Sequence, residues 1–213
     1  YSKDNGNDLF INVIDNTSTI AAGTGNGTYT WTLPVNNGPF KAGDNGKNTQ
    51  VRIKVVSSSD SAINSISAQP LTIQSRLINL VPNGGQVWRL GEQRNITWTT
   101  QGDVPTVNLK YSIDGGSTGT IITNTVNADG YLWDPVSCPI SSQLRIRVES
   151  NAFANDINIT SGNTFEVKGT VAITSPNNTN QNATALIVGS SHLITWTRNG
   201  AIGTLAFSFA PDG

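Results

Sequence analysis

Charge is scarce in this sequence. Of 213 residues, 13 are Lys or Arg and 14 are Asp or Glu, 13% in all, with a formal net charge of −1; a soluble domain ordinarily carries about a quarter. There is no basic stripe of the kind nucleic-acid-binding domains present, and no polybasic segment for an anionic membrane surface. His192 is the only histidine, which removes a His-based triad, a two-His metal site and a His/Cys zinc site. Cys138 is the only cysteine, so no disulfide forms within the chain, and its solitary use neither requires nor excludes an oxidising compartment. No run of eighteen apolar residues is present, so no helix of this segment inserts in a membrane. Sustained helical periodicity is absent as well.

What the chain has in quantity is Asn, Thr, Ser and 21 Gly. With 36% hydrophobic residues and so few charges, solubility rests on neutral polar side chains or attached sugar. Six Asn-x-Ser/Thr acceptors occur, at Asn16, Asn26, Asn95, Asn158, Asn177 and Asn182, and point to an extracellular glycoprotein with covalent glycans. The length is that of one or two domains. The first residue is Tyr and no signal-peptide pattern is present, so a mature or excised segment is expected.

One stretch recurs. Leu80 to Gly102 holds a Pro-Asn-Gly-Gly turn, Trp88, Gly91 and the strand pattern Ile96-Thr97-Trp98-Thr99. About ninety-five residues later a Ser-Pro-Asn turn, Gly189 and Ile194-Thr195-Trp196-Thr197 repeat it, a recurrence at domain length that means tandem modules. Other segments match in the same phase. Asp129-Gly130-Tyr131-Leu132-Trp133 answers to the 26–34 segment with Tyr29, Trp31 and Leu33. Leu144-Arg145-Ile146-Arg147-Val148 answers to Val51-Arg52-Ile53-Lys54-Val55, and Thr164-Phe165-Glu166-Val167 to Leu71-Thr72-Ile73. Tyr111-Ser112-Ile113-Asp114 is echoed both at Tyr1-Ser2-Lys3-Asp4 and in the last residues, from Phe207 to Gly213.

These matches divide the chain into 1–75, the C-terminal part of one repeat; 77–168, a complete repeat; and 171–213, the N-terminal part of a further repeat. Short alternating segments separated by Gly, Asn, Asp and Pro turns predict an all-β chain of tandem immunoglobulin-like antiparallel β-sandwiches. Tyr29, Trp31 and Leu33 are expected on one strand face, residues 51–55 in a single strand, and 57–67 as a polar connector. The Trp residues are expected to anchor cores. Two short linkers, Gln74-Ser75-Arg76 and Lys168-Gly169-Thr170, are expected to limit bending.

The order and spacing of PNGGxVWxxGxxxxITW, YSxDGGST, GxYxWxxP, xxRIRV and a closing FxV resemble the Ser/Thr-rich repeat domain of GPI-anchored fungal surface proteins, which has similar tandem counterparts in bacterial and archaeal extracellular proteins. The match runs over residues 80–167 in full and the flanking segments in part. It implies an extracellular immunoglobulin-like sandwich in a wall, adhesion or surface-layer role, without catalysis. The last unit departs from it where Asn177-Asn178-Thr179-Asn180-Gln181 replaces the Gly-Gly-x-Val-Trp turn.

Few other residues suggest chemistry. Residues 112–118 also resemble the structural Asp-box turn, and an Asp there holds backbone amides. The clusters 4–8 and 44–48 offer oxygen ligands for calcium but lack a bidentate Glu at the required spacing, so turns are the simpler reading. His192 is expected near the surface and Cys138 as a small buried side chain. The acids sit in turns, with no pair set across a cleft as a glycosidase needs. Trp88, Trp98, Trp31 and Tyr131 are read as core packing before a carbohydrate platform. The expectation is a non-catalytic, cofactor-free structural segment of a glycosylated fibril, surface layer or adhesin stalk, associating head-to-tail with itself or with neighbouring repeats of a longer chain. The alternative is a carbohydrate- or surface-binding adhesin module.

Overall fold

In the computed structural model the described residues are 1–7, 14, 26–34, 40, 44–134, 136–177 and 185–210. They are all β, with fifteen strands and no helix. The strands are β1 (Lys47–Val51), β2 (Lys54–Val56), β3 (Asn64–Ile66), β4 (Leu71–Gln74), β5 (Arg76–Val81), β6 (Val87–Arg89), β7 (Arg94–Gln101) and β8 (Thr106–Ser112). After them come β9 (Thr120–Val126), β10 (Gly130–Trp133), β11 (Ser141–Ser150), β12 (Asn158–Thr160), β13 (Phe165–Lys168), β14 (Thr170–Ser175) and β15 (Thr195–Asn199).

Period-two alternation builds the central part. Along β7, Ile96 and Trp98 turn inward while Asn95 and Thr97 face water; along β11, Leu144, Ile146 and Val148 turn inward while Arg145 and Arg147 face the other way. This is the pattern of strands with one apolar face. A three-stranded sheet in the order β10-β7-β5 contributes Leu77, Leu80, Ile96, Trp98 and Trp133 to the core. A six-stranded sheet, β6-β13-β11-β8-β9 with β12 also on β11, contributes Val107, Leu109, Leu144, Ile146, Val148, Phe165 and Val167 to the same core. Trp133 ties the two sheets together: its ring stacks on Tyr111 at 5.6 Å and meets Trp88 edge-on at 6.4 Å, and Trp88 in turn lies 4.8 Å from Phe165. Buried aromatics of this size contribute most of a small core's apolar area. The pairing is antiparallel throughout with one exception to the expected pattern: β6 runs parallel to β13.

The recurrence seen in the sequence is also a recurrence of hydrogen bonding. β5 pairs with β7 as Ile78↔Thr99 and Val81↔Thr97 across a bulge, and β14 pairs with β15 as Ala172↔Thr197 and Ser175↔Thr195 across another. The Ser112 hydroxyl accepts from Asp114 N (3.3 Å) and Gly116 N (2.8 Å), and the Ser2 hydroxyl accepts from Asp4 N (3.2 Å) and Gly6 N (2.7 Å). Ile146 N donates to Ser161 Oγ (3.1 Å) and Ile53 N to Ser67 Oγ (3.2 Å). Ser112 lies opposite Arg145, and Ser2 bridges Arg52.

Several expectations need correcting. Residues 26–34 form no strand: Tyr29 and Leu33 are exposed, and Trp31 is only half-buried, leaning on Tyr1 at 5.0 Å. Trp196 is exposed too, so core anchoring holds for Trp88, Trp98 and Trp133 only. The physical reason is a missing partner: β10 draws its hydrogen bonds from β7, and no such strand lies beside 26–34 among the described residues. The 51–55 stretch is broken, with β1 on β4, Arg52 at Ser2 and β2 on β3. The 57–67 connector carries strand β3. The apolar run 9–14, save Ile14, lies outside the described residues.

Each linker is a single residue. Ser75, between β4 and β5, is buried; its hydroxyl donates to Asp103 O (3.2 Å) and accepts from Asp103 N (2.8 Å), while its N–H donates to Gly46 O (2.7 Å). Lys47 bridges Asp156 across this junction at 2.7 Å. At Gly169, between β13 and β14, an added Cβ would lie 2.7 Å from Asn199 O. Gly102 takes a left-handed φ of 98°, and a Cβ there would meet Ser75 Oγ at 2.2 Å. Gly102→Ala should therefore cost more than about 1 kcal/mol in chemical denaturation, and Gly27→Ala, with nothing within 4 Å, should leave the midpoint in place. Equal midpoints for the two variants would contradict a clamped junction.

Candidate functional site

The turn after β8 is fully spent on itself. Asp114 takes hydrogen bonds from the Ser112 hydroxyl, from Thr118 N (3.0 Å) and from Thr118 Oγ1 (2.7 Å), and Gly115 N donates to Gln143 O (3.0 Å). These donors, the Ser112 hydroxyl foremost, hold the Asp114 carboxyl far below the usual carboxylate range. A carboxylate so placed fixes a hairpin, with three of its roughly four acceptor sites taken by the turn itself.

Beside that turn, the outward face of the six-stranded sheet forms an open groove of about 310 Å³. Glu149 is buried there, held by Lys110 Nζ at 2.6 Å and Arg147 Nε at 2.8 Å. Arg147 also donates to Ala154 O (3.1 Å), while Arg145 Nε is buried without a partner. Two cations pairing one buried carboxylate satisfy its desolvation. Arg145 is left as the one guanidinium lining the groove with a buried donor unmet.

The other acids are likewise engaged close to home: Glu92 with Arg94, Glu166 with Lys168 (3.2 Å), Asp134 with Gln93 (2.6 Å) and Asp129 with Thr100. The Arg94 hydrogen bond lowers the Glu92 pKa. Among the described residues no three His, Cys, Asp or Glu side chains converge as a metal set requires. Asn5-Gly6 and Asn45-Gly46 take the positive φ angles of tight turns. His192 is exposed, its Nε2 2.7 Å from Ser190 Oγ. Cys138 is half-buried, and burial pushes its thiol up to about 11. Trp88 and Trp98 are buried and Tyr131 packs against the core, so they present no platform for a sugar.

The acceptor asparagines are placed unequally. Asn26, Asn95 and Asn177 are exposed, Asn95 in mid-strand beside outward-facing Thr97. Asn158 is half-buried, and its amide nitrogen donates to Ala154 O (2.9 Å) and Asn155 O (3.2 Å). Asn16 and Asn182 lie outside the described residues.

The largest anomaly is not a polar cluster but apolar surface. Val148 of β11 is 0% exposed, and its counterpart Val55 is 71% exposed. Leu109 of β8 is 0% exposed against 60% for Phe207, and Trp98 is 4% against 40% for Trp196. Backbone pairing is open in the same places. β11 is flanked by β8 on one edge and by β13 and β12 on the other. β2 has β3 alone, and β4 has β1 alone, among the described residues. Apolar side chains left exposed, and strand edges without a partner among the described residues, favour association. No sequence motif announces this; it emerges from comparing equivalent positions of the repeat.

No family model matches the chain, and no curated protein matches it.

Since the folded state depresses the Asp114 pKa, its contribution to stability is present above the ordinary carboxylate range and is lost as the pH falls toward the folded value. Asp114→Asn should lower the melting temperature at pH 7, and the gap to the parent should close as the solution is made strongly acid. A gap that persists or widens on acidification would contradict this role.

Proposed function

We propose that this chain is a non-catalytic structural segment of an extracellular, glycosylated fibril, surface layer or adhesin stalk, assembling head-to-tail. In this reading it is a tandem array of immunoglobulin-like β-sandwiches. Residues 77–168 make one complete module, 1–75 the C-terminal part of another, and 171–213 the N-terminal part of a third. The observation that carries it is the pairing of opposites. Side chains buried in 77–168 are exposed at equivalent positions on both sides of it, Val55 for Val148 and Phe207 for Leu109. The exposed apolar positions on both flanks offer faces that a neighbouring unit, in the same chain or in another, can cover. Such a contact is heterologous and propagates into a line instead of closing on itself.

The rest of the molecule is consistent with a load-bearing role. Single-residue linkers and the clamps at Ser75 and Gly169 resist bending. The acids and cations are consumed in local pairs. Scarce charge and exposed sequons at Asn26, Asn95 and Asn177 suit a sugar-coated exterior. The experiment is negative-stain microscopy of the 213-residue chain with two variants. The parent should form fibres, and Phe207→Asp should abolish them. Val126→Asp, at a still more exposed position of the 77–168 unit (71% against 60% for Phe207), should not. Discrete single-chain particles from the parent would sink the proposal.

A further inference from the structure

Independently of how units associate, we infer that the groove on the outward face of the six-stranded sheet binds the carboxylate of an acidic sugar, gripped by Arg145. Sheet register puts three cations side by side there. Lys110 lies directly opposite Arg147, and Arg145 stands two residues along β11 on the same face, opposite Ser112. Like charges directly opposite on a sheet repel, so the Lys110–Arg147 row calls for a carboxylate. Glu149 supplies it, giving one oxygen to Lys110 (2.6 Å) and the other to Arg147 (2.8 Å). Nothing comparable reaches Arg145. Its guanidinium makes no hydrogen bond or ion pair with any described residue, and its Nε is buried without a partner. Three cations against Glu149 leave the lining positive, and it stays positive when Asp114 of the adjoining turn is counted. Every residue lining the groove falls within 110–160 and is described.

The repeat supplies an internal comparison. Arg52 holds the position of Arg145, and Arg52 is spent on the protein. Its Nη1 donates to Ser67 O (2.8 Å) and Ala68 O (3.4 Å), and its Nε donates to Asn5 Oδ1. Asn5 answers to Gly115, because Ser2, Asp4 and Gly6 answer to Ser112, Asp114 and Gly116. Gly115 has no side chain to offer, and the Arg145 stem lies instead over Gly116, where an added Cβ would stand 3.5 Å from Arg145 Cδ. The fold therefore has an arrangement that satisfies an arginine at this position, and Arg145 is not held in it. Its donors stay available to a ligand.

The lining sets the class of that ligand. A guanidinium edge, with its donors in a fixed fork, matches a planar carboxylate bidentately. Around it stand the Ser117 and Thr118 hydroxyls on the turn side, and Asn155 and Thr160 on the Arg147 side. Ile146 is fully buried and the Tyr111 ring stacks on Trp133, so neither gives the groove an apolar surface. A ring bearing hydroxyls and one carboxylate meets these partners, whereas the apolar side chains of a peptide find no pocket. The volume of about 310 Å³ sits at the low end of small-molecule sites, about 300–1,000 Å³, which suits a single sugar residue.

Equilibrium dialysis of the 213-residue chain tests this in any state of association. Radiolabelled glucuronate at constant ionic strength should bind saturably, and glucose about tenfold more weakly or not at all. Arg145→Gln should abolish saturation. Arg145→Lys keeps the charge but loses the fork, and should weaken binding about tenfold. Arg198→Gln, at an exposed arginine outside the groove, should leave binding unchanged. Circular dichroism checks the fold of each variant. Absence of saturable glucuronate binding by the parent overturns the site, as does equal affinity for glucose or full-strength binding by either Arg145 variant. Inorganic sulfate or acetate binding as tightly as glucuronate overturns the ligand class, the first for the planar carboxylate and the second for the sugar ring. None of these outcomes depends on whether the chain forms fibres.

Discussion

An apolar strand face must be covered by a second sheet, and a strand edge must find donors and acceptors for its backbone. Within 76–168 both demands are met inside the chain. Trp133, Trp88, Phe165 and Tyr111 knit two sheets over one core, and β11 is flanked on both edges. On either side similar residue types and bulges recur, yet among the described residues Val55, Trp196 and Phe207 stay exposed. The contrast between Val148 and Val55 measures this directly, because the two hold the same register against β12 and β3 while the cover differs. We therefore propose that the assembly function of the chain lies in its exposed apolar faces and not in the groove at Arg145.

The one-residue linkers give this a mechanical consequence. At Ser75 the hydroxyl both donates to and accepts from the Asp103 backbone. At Gly169 and Gly200 there is no room for a side chain against Asn199, Leu90 and Ile140. Motion between 77–168 and the strands flanking it then costs packing and hydrogen bonds together.

Much of this was legible in the sequence, and the reasons are local. Alternation around Trp98, Tyr111 and Ile146 marked strands because each strand wets one face only. The Ser112–Asp114 turn was readable because Ser, Asp and Gly do in a turn what few other residues do. The strand expected at Tyr29-Trp31-Leu33 failed for a non-local reason: its pattern is that of β10, but the hydrogen bonds come from a strand like β7. β12 and its counterpart β3 were missed because three-residue strands, Asn-Ile-Thr and Asn-Ser-Ile, are too short to carry a periodic signal. The parallel pairing of β6 with β13 was invisible because register across eighty residues of chain is not a property of either segment. The apolar exposure that defines the candidate site is relational too, visible only when equivalent positions are compared.

Amide hydrogen exchange tests the central claim most directly, because it reads backbone pairing residue by residue. Residues 146–150 should be protected in dilute and in assembled chain alike. The Val56 amide, on the edge of β2 away from β3, and residues 204–208 should exchange rapidly when dilute and become protected together on assembly. Rapid exchange of both segments in assembled material, or protection of either one in the isolated chain, would contradict the account.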